Sequence, residues 1–446
     1  MKNRIKQYLL AASMCVGLTA CSDFFEPIPG VQFGLDETFA SKQRTEEYLN
    51  NVYSYVREVT DAIHPNTYGG IFTEASLDGA NRWNKTYAEW TNGSFNSASA
   101  QASEYFSKYY QAIAKASTFI QNVDKCTEAA ASTRGKWKSE ARALRAYYYF
   151  ELLRLYGPIP LIGEDPIPLD ASLEELIKER NSVDECVNFI ATELQSAIDS
   201  GDLLQRAGKA NLGRMDVATC MALKAKLYLY WASPLFNGNT DQASVKNKDG
   251  KQLFPQTEDN SKWTQARDAY ERFMTFATGQ GYKLTEVYTN GKLDPYASCR
   301  AAGEFFTTTW EAVDELIFVK LRDLYDYTYW VCPKFTDFQD TDVTGGGGYY
   351  TTQETVDLFF TKDGLTIEED PGYDKFEGIP GANNFTSGRY YDPNNPSRLY
   401  FDADKSKVLK QWKDREPRFY VNITYSGSIW LNEGKYNEEM RTDFTN

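Results

Sequence analysis

The chain has 446 residues, of which 48 are basic and 62 acidic, for a formal net charge of −14. That length is enough for two or three domains and a large core. The acidic balance excludes the basic footprint that nucleic acid requires and a protein surface suited to anionic lipid. His64 is the single histidine, which removes the usual zinc sites and histidine-dependent triads, so no metal or other cofactor is expected.

The chain opens with Lys2, Arg4 and Lys6, followed by a short apolar run from Tyr8 to Leu18. A bilayer-spanning helix needs about 20 apolar residues, so this run is too short to stay in a membrane. A basic start, a short apolar stretch and a small-residue exit read as a secretory signal over residues 1–20. The exit, Leu18-Thr19-Ala20-Cys21, resembles the bacterial lipobox, in which cleavage precedes the cysteine and the cysteine is acylated. Cys21 is therefore the predicted lipidation site. Each buried methylene of an acyl chain adds about 0.8 kcal/mol, so several chains anchor durably.

Residues 22–36, with Pro27, Pro29 and Gly30, read as an extended leader. Helical periodicity is predicted over about 41–59. A polar, Gly- and Asn-rich stretch, about 62–98, has no clean period and reads as a long loop, a kind of segment that is commonly functional. Helix pairs follow at about 101–124 with 136–156, and 182–200 with 216–232. In the helix at about 136–156, Ala141, Leu144, Tyr148, Leu152 and Leu155 form one apolar stripe, and Gly157-Pro158 ends it. Tyr147, Tyr148 and Tyr149 read mainly as core. Val183, Val187, Ile190, Leu194 and Ile198 form another stripe, and Asp216 is a predicted N-cap. A last long helix is predicted over about 262–278. Recurring helix pairs indicate a mainly α, tetratricopeptide-like scaffold with long irregular loops and a few short strands.

Beyond about residue 280, Gly, Asp, Thr and Tyr dominate. The run "DELIFVKLRD" reads as a strand or short buried segment, "TGGGGYYTT" as a flexible bend and "QETVDLFFTKDG" as one short helix. The glycine run lacks the Lys-Ser/Thr of a phosphate loop. Cys126, Cys186, Cys220, Cys299 and Cys332 are widely spaced, with no CxxC, so neither a disulfide framework nor a zinc site is indicated. At least one of them is expected to be a buried free thiol.

Four stretches carry a family resemblance. "SEARALRAYYYFELLRLYGPIPLI", "RMDVATCMALKAKLYLYWASPLFNG", "YYTTQETVDLFFTKDG" and "KDREPRFYVNITYSGSIW" occur in the order typical of the RagB/SusD family, and the lipobox start agrees. The resemblance implies an N-terminal helical domain over 21–235 and a C-terminal domain over 260–446. The latter looks incomplete beside family members that continue further. A missing repeat would expose its neighbour's apolar face. It also implies a non-enzymatic lipoprotein anchored in the outer membrane and facing outward. Such a protein captures oligosaccharides for a SusC-like TonB-dependent transporter. "SDFFE" after Cys21 is similar to signals that send such lipoproteins to the surface.

The composition suits that role, with 31 Tyr, 26 Phe and 9 Trp. Sugar binding needs flat aromatic faces beside hydrogen-bonding side chains. The loop 68–96 supplies Asp78, Arg82, Trp83, Trp90 and Asn92, and a second set is Tyr325, Tyr327, Tyr329 and Trp330. By resemblance both regions line a glycan site, although aromatics also pack interfaces between helices and loops. Two other readings stay open. One is a peptide-binding lid of a transporter. The other is a secreted glycoside hydrolase, which needs two facing carboxylates about 5–10 Å apart that no local motif singles out.

Overall fold

The structure, a computed structural model, describes residues 34–57, 79–81, 89, 93–163, 167, 171–303, 314–320, 349–375, 380–404, 406–430 and 440–441. Its framework is helical. Helix α1 (Leu35–Ala40) and α2 (Lys42–Tyr53) are separated by Ser41, whose extended backbone (ψ 131°) breaks the helical path; α2 begins where a helix is predicted, and α1 is an additional short helix before it. Then come α3 (Ala100–Asn122), α4 (Ala131–Tyr156), the single turn α5 (Leu173–Leu176), α6 (Val183–Asp199), α7 (Val217–Ala232) and α8 (Ser261–Gly279). The long helices pack in sequence, α3 on α4, α4 on α6, α6 on α7 and α7 on α8, which is the helix-pair array the periodicity predicts.

The boundaries follow local chemistry. Ser182 and Glu185 close a capping box, with Glu185 Oε2 accepting from Ser182 N at 2.7 Å. Asp216 Oδ1 accepts from Thr219 N at 2.7 Å and caps α7. Gly157, at φ +68°, ends α4, where a side chain would be strained.

Helix α4 is the centre of the array and is buried around most of its circumference from Ser139 to Leu153. Tyr148 and Tyr149 are fully buried and Tyr147 nearly so, as core residues. Burial on every side forces its polar residues to find partners. Fully buried Arg145 reaches Glu193 of α6 through Nε at 2.8 Å and Ser117 of α3 through Nη1 at 3.0 Å. Arg142 joins the same carboxylate at 3.1 Å. One ion-pair cluster thus ties three helices. Cys126, Cys186 and Cys220 are buried free thiols in this region, and Cys332 lies outside the described residues.

A second, largely aromatic core forms downstream, separate from the helical one. Here α9 (Pro295–Gly303), α10 (Gln353–Asp357) and α11 (Pro417–Asn422) are short. The strands form two-stranded antiparallel pairs: β1 (Ala80–Asn81) with β4 (Tyr349–Tyr350), β2 (Tyr288–Thr289) with β3 (Lys292–Leu293), β5 (Phe385–Thr386) with β8 (Val408–Leu409), β6 (Arg389–Asp392) with β7 (Asn395–Asp402), and β9 (Ile429–Trp430) with β10 (Met440–Arg441). Tyr400 and Tyr420 stack at 3.9 Å in this core. Arg415 is buried and donates to the carbonyl of Phe359 at 2.9 Å and to that of Val356, where α10 ends. A cation there also complements the helix dipole.

Two sequence readings need revision. Residues 314–320 of the "DELIFVKLRD" run have no strand and are only half-buried. Within "TGGGGYYTT", Tyr349–Tyr350 is a strand rather than a bend.

Candidate ligand-binding region

The predicted ligand-binding residues Asp78, Arg82, Trp83, Trp90, Asn92, Tyr325, Tyr327, Tyr329 and Trp330 lie outside the described residues, as do Cys21 and His64. The described residues that flank them converge. Arg57 precedes the stretch 58–78, and Lys320 precedes 321–348. Lys320 Nζ donates to the carbonyl of Val56 at 2.6 Å and to that of Ser54 at 3.2 Å. These carbonyls sit where α2 ends and backbone acceptors lack helical partners, so a cation is well matched to them. At their other ends the same two stretches run into the β1–β4 ladder, in which Ala80 pairs with Tyr350 and Asn81 with Tyr349. The stretches 58–78 and 321–348 are therefore joined at both ends, and the ladder falls within the loop 68–96, with Trp83 and Trp90 following it in sequence.

The starting anchor rests on a buried polar hub. Glu140 of α4 is fully buried, and its Oε2 accepts from Tyr53 Oη at 2.9 Å and pairs with Arg214 Nε at 3.0 Å. Tyr53 Oη in turn accepts from Met215 N at 2.8 Å, and Arg214 Nη1 donates to Asn50 Oδ1 at 3.0 Å. Burial pushes the Glu140 carboxyl above its usual range, against the pull of Arg214. Burial, then the Glu140 charge, pushes the Tyr53 hydroxyl well up.

The segment 314–320 is seated on this hub at close quarters. Thr219 Oγ1 donates to Ile317 O at 3.2 Å, and Phe318 meets Tyr147 edge-on at 6.0 Å. Gly213 has φ +84°, and a Cβ there would lie 2.8 Å from the carbonyl oxygen of Val319. Only glycine permits that approach. On the facing side, Arg57 pairs with Glu151 at 3.5 Å, and its N–H donates to Tyr147 Oη at 3.4 Å.

A cleft of about 280 Å³ opens between these parts, lined by Asn50, Tyr53, Val56, Gly213, Arg214 and Lys320. Its amide, guanidinium and ammonium groups suit hydroxyl-rich ligands, and Tyr350 of the ladder is 54% exposed. Among the described residues, no group of three or more His, Cys, Asp or Glu side chains could hold a metal ion. Nor is any helix among them long and apolar enough to cross a membrane. Sequence reasoning singled out the run containing Lys320 but not the role of Lys320. The partners of Lys320 are distant in sequence and leave no local trace.

Comparison with known proteins agrees with this architecture. A family model described as "Starch-binding associating with outer membrane" matches residues 32–229. A second, described as "SusD family", matches residues 315–446. The chain belongs to the SusD/RagB family. A curated SusD-like protein of Bacteroides ovatus is 27% identical over 175 residues, which are 38% of this chain and 30% of that protein. The SusD-family fold recurs in the solved structure of BT4246, with TM-score 0.71 and 23% identity over 90% of this chain and 68% of that one. It recurs also in a SusD-like protein of Bacteroides fragilis, with TM-score 0.59 and 20% identity over 87% of this chain and 62% of that one. The chain thus spans about two thirds of the length of these structures, and the matched segment less than one third of the curated relative.

Proposed function

We propose that this SusD-family protein is a surface glycan-binding lipoprotein. In this reading it is acylated at Cys21, faces outward from the outer membrane, captures oligosaccharides without hydrolysing them and passes them to a SusC-like TonB-dependent transporter. The observation that carries the reading is that the two aromatic regions are tied together twice: the Lys320–Val56 anchor joins the chain just ahead of 58–78 and 321–348, and the β1–β4 ladder joins residues 80–81, within the loop 68–96 and next to Trp83, to the end of 321–348. Regions tied together at these two points can present Trp83, Trp90, Tyr325, Tyr327 and Trp330 to one ligand. Aromatic rings remove sugar faces from water while Asp78, Arg82 and Asn92 satisfy hydroxyls. Support comes from the family description, which names starch binding and the outer membrane. A solved relative from Bacteroides fragilis, described as a SusD-like carbohydrate binding protein, aligns with TM-score 0.55 over 88% of this chain and 61% of that one.

The test is a glycan-array screen of the chain from Ser22 onward, with affinity capture from native outer membranes alongside. The reading expects retention of a defined oligosaccharide class without release of reducing ends, and recovery of a large transporter barrel. Retention of peptides but no glycan on matched arrays would move the protein to the peptide-lid reading. Reducing ends that vanish when one carboxylate is neutralised would make it a hydrolase.

A further inference from the structure

We propose a second ligand site, separate from the cleft at Lys320. It is an apolar cleft between α3 and the chain on either side of α5, suited to a small, flat, mostly apolar molecule carrying one anionic group. The cleft holds about 440 Å³, within the range of roughly 300–1,000 Å³ typical of small-molecule sites. None of its lining residues belongs to the Lys320–Val56 anchor, the Glu140 hub or the β1–β4 ladder.

The wall supplied by α3 is aromatic. Phe106 and Tyr110 lie 4.7 Å apart, and Tyr156 meets Phe106 edge-on at 5.3 Å. Tyr110 Oη donates to Pro160 O at 2.7 Å, which fixes this wall to the opposite strand of chain. Such a pair of rings offers an aromatic surface on which another flat ring can pack. The facing wall leaves apolar surface in water, with Leu176 52% and Ile177 66% exposed, while Phe106 is 38% exposed. Three large apolar side chains left open around one concave surface mark a place where a ligand gains by covering them.

Polar groups are few and distinct. Ser117 is 2% exposed, lines the cleft and accepts from Arg145 Nη1 at 3.0 Å. A hydroxyl that accepts one bond can still donate another. Lys178 also lines the cleft, and its residue is exposed. An apolar body with one anion therefore matches the walls and the lysine together, whereas an oligosaccharide would leave its hydroxyls facing Ile113, Ile162 and Leu176 without partners.

The experiment titrates 1-anilinonaphthalene-8-sulfonate, an aromatic anion, into the chain from Ser22 onward, which contains every described residue. The proposal expects saturable fluorescence with one equivalent per chain. Ala114→Trp fills the cleft from an exposed helical position and should weaken binding by about tenfold or more. Ile177→Glu alters a side chain already in water, so it cannot act by unfolding the core, and should have the same effect. Lys178→Met should weaken the anionic probe severalfold while leaving the neutral probe Nile red unchanged. Non-saturable fluorescence, or full affinity in both Ala114→Trp and Ile177→Glu, overturns the site. Equal loss of both probes in Lys178→Met overturns the anionic class.

Discussion

Replacing Lys320 with methionine should loosen the base of both aromatic loops without unfolding the scaffold. The change keeps most of the stem's bulk and removes donors lying 2.6 Å from Val56 O and 3.2 Å from Ser54 O. A hydrogen bond from a charged group contributes about 1.5–3 kcal/mol. Only the shorter bond is given that weight, because the other is exposed. A loss of that size is roughly a ten- to hundredfold rise in local opening. The reporters are the amides of Ser54, Tyr55 and Val56, which donate to Asn50, Val52 and Tyr53 in the last turn of α2. Hydrogen exchange read by mass spectrometry should show faster exchange there and across 314–320, with 139–153 of α4 unchanged. Lys320→Arg should restore most of the protection. Gly213→Ala should reproduce the loosening by another route, because its Cβ would push Val319 away. Unchanged exchange over 50–57 in both Lys320→Met and Gly213→Ala would refute the reasoning.

Three other outcomes follow from the same physical description. Glu193→Leu should cost the scaffold about 3–5 kcal/mol in urea unfolding, because it strands the buried Arg145 guanidinium. The double variant Arg145→Met/Glu193→Leu should recover much of this, and equal losses in the two would contradict it. The Arg398 guanidinium, bonded to both carboxylate oxygens, holds Asp294 at about 2, below its ordinary 3.8. A lowered folded-state value means stability that is present above about pH 4 and lost as pH falls toward 2. Asp294→Asn should flatten that acid limb, and an unchanged limb would count against the pairing. Burial pushes the Cys186 thiol up to about 11 and that of Cys220 higher still, so neither should react with a disulfide reagent until denaturant is added. Modification of either in the native protein, mapped by peptide mass, would show that the core is not packed as described.

Much of the scaffold was legible because its helices bury one face or are capped by local residues. The stripe Val183–Val187–Ile190–Leu194 and the cap at Asp216 are written within a few residues of where they act. The start of α4 was not legible. Residues 131–135 carry no apolar stripe, and Gly135 is held by close approach to the Asp202 carboxylate, 2.7 Å from where a Cβ would stand. The β2–β3 hairpin had a local signal that periodicity overlooked. Asn290 and Gly291 have φ of +52° and +76°, the pairing a tight two-residue turn demands. The candidate site divides in the same way. Its aromatic residues stand out by type and by resemblance, whereas its supports do not. Lys320 meets Val56, and Ala80 meets Tyr350, across more than 250 residues of sequence. Such contacts are set by tertiary packing, which no window of sequence reports.

The central claim, capture of a glycan by the two aromatic loops, is tested most directly by calorimetry. The oligosaccharide that binds best on the array would be titrated into the parent chain and into Trp83→Ala and Trp90→Ala. A ring covering one sugar face removes apolar area worth about 25 cal/mol per Å², or on the order of 1–2 kcal/mol, which is roughly tenfold in affinity. The account predicts at least that loss in one or both variants, with thermal melting unchanged. Parental affinity in both variants would contradict it.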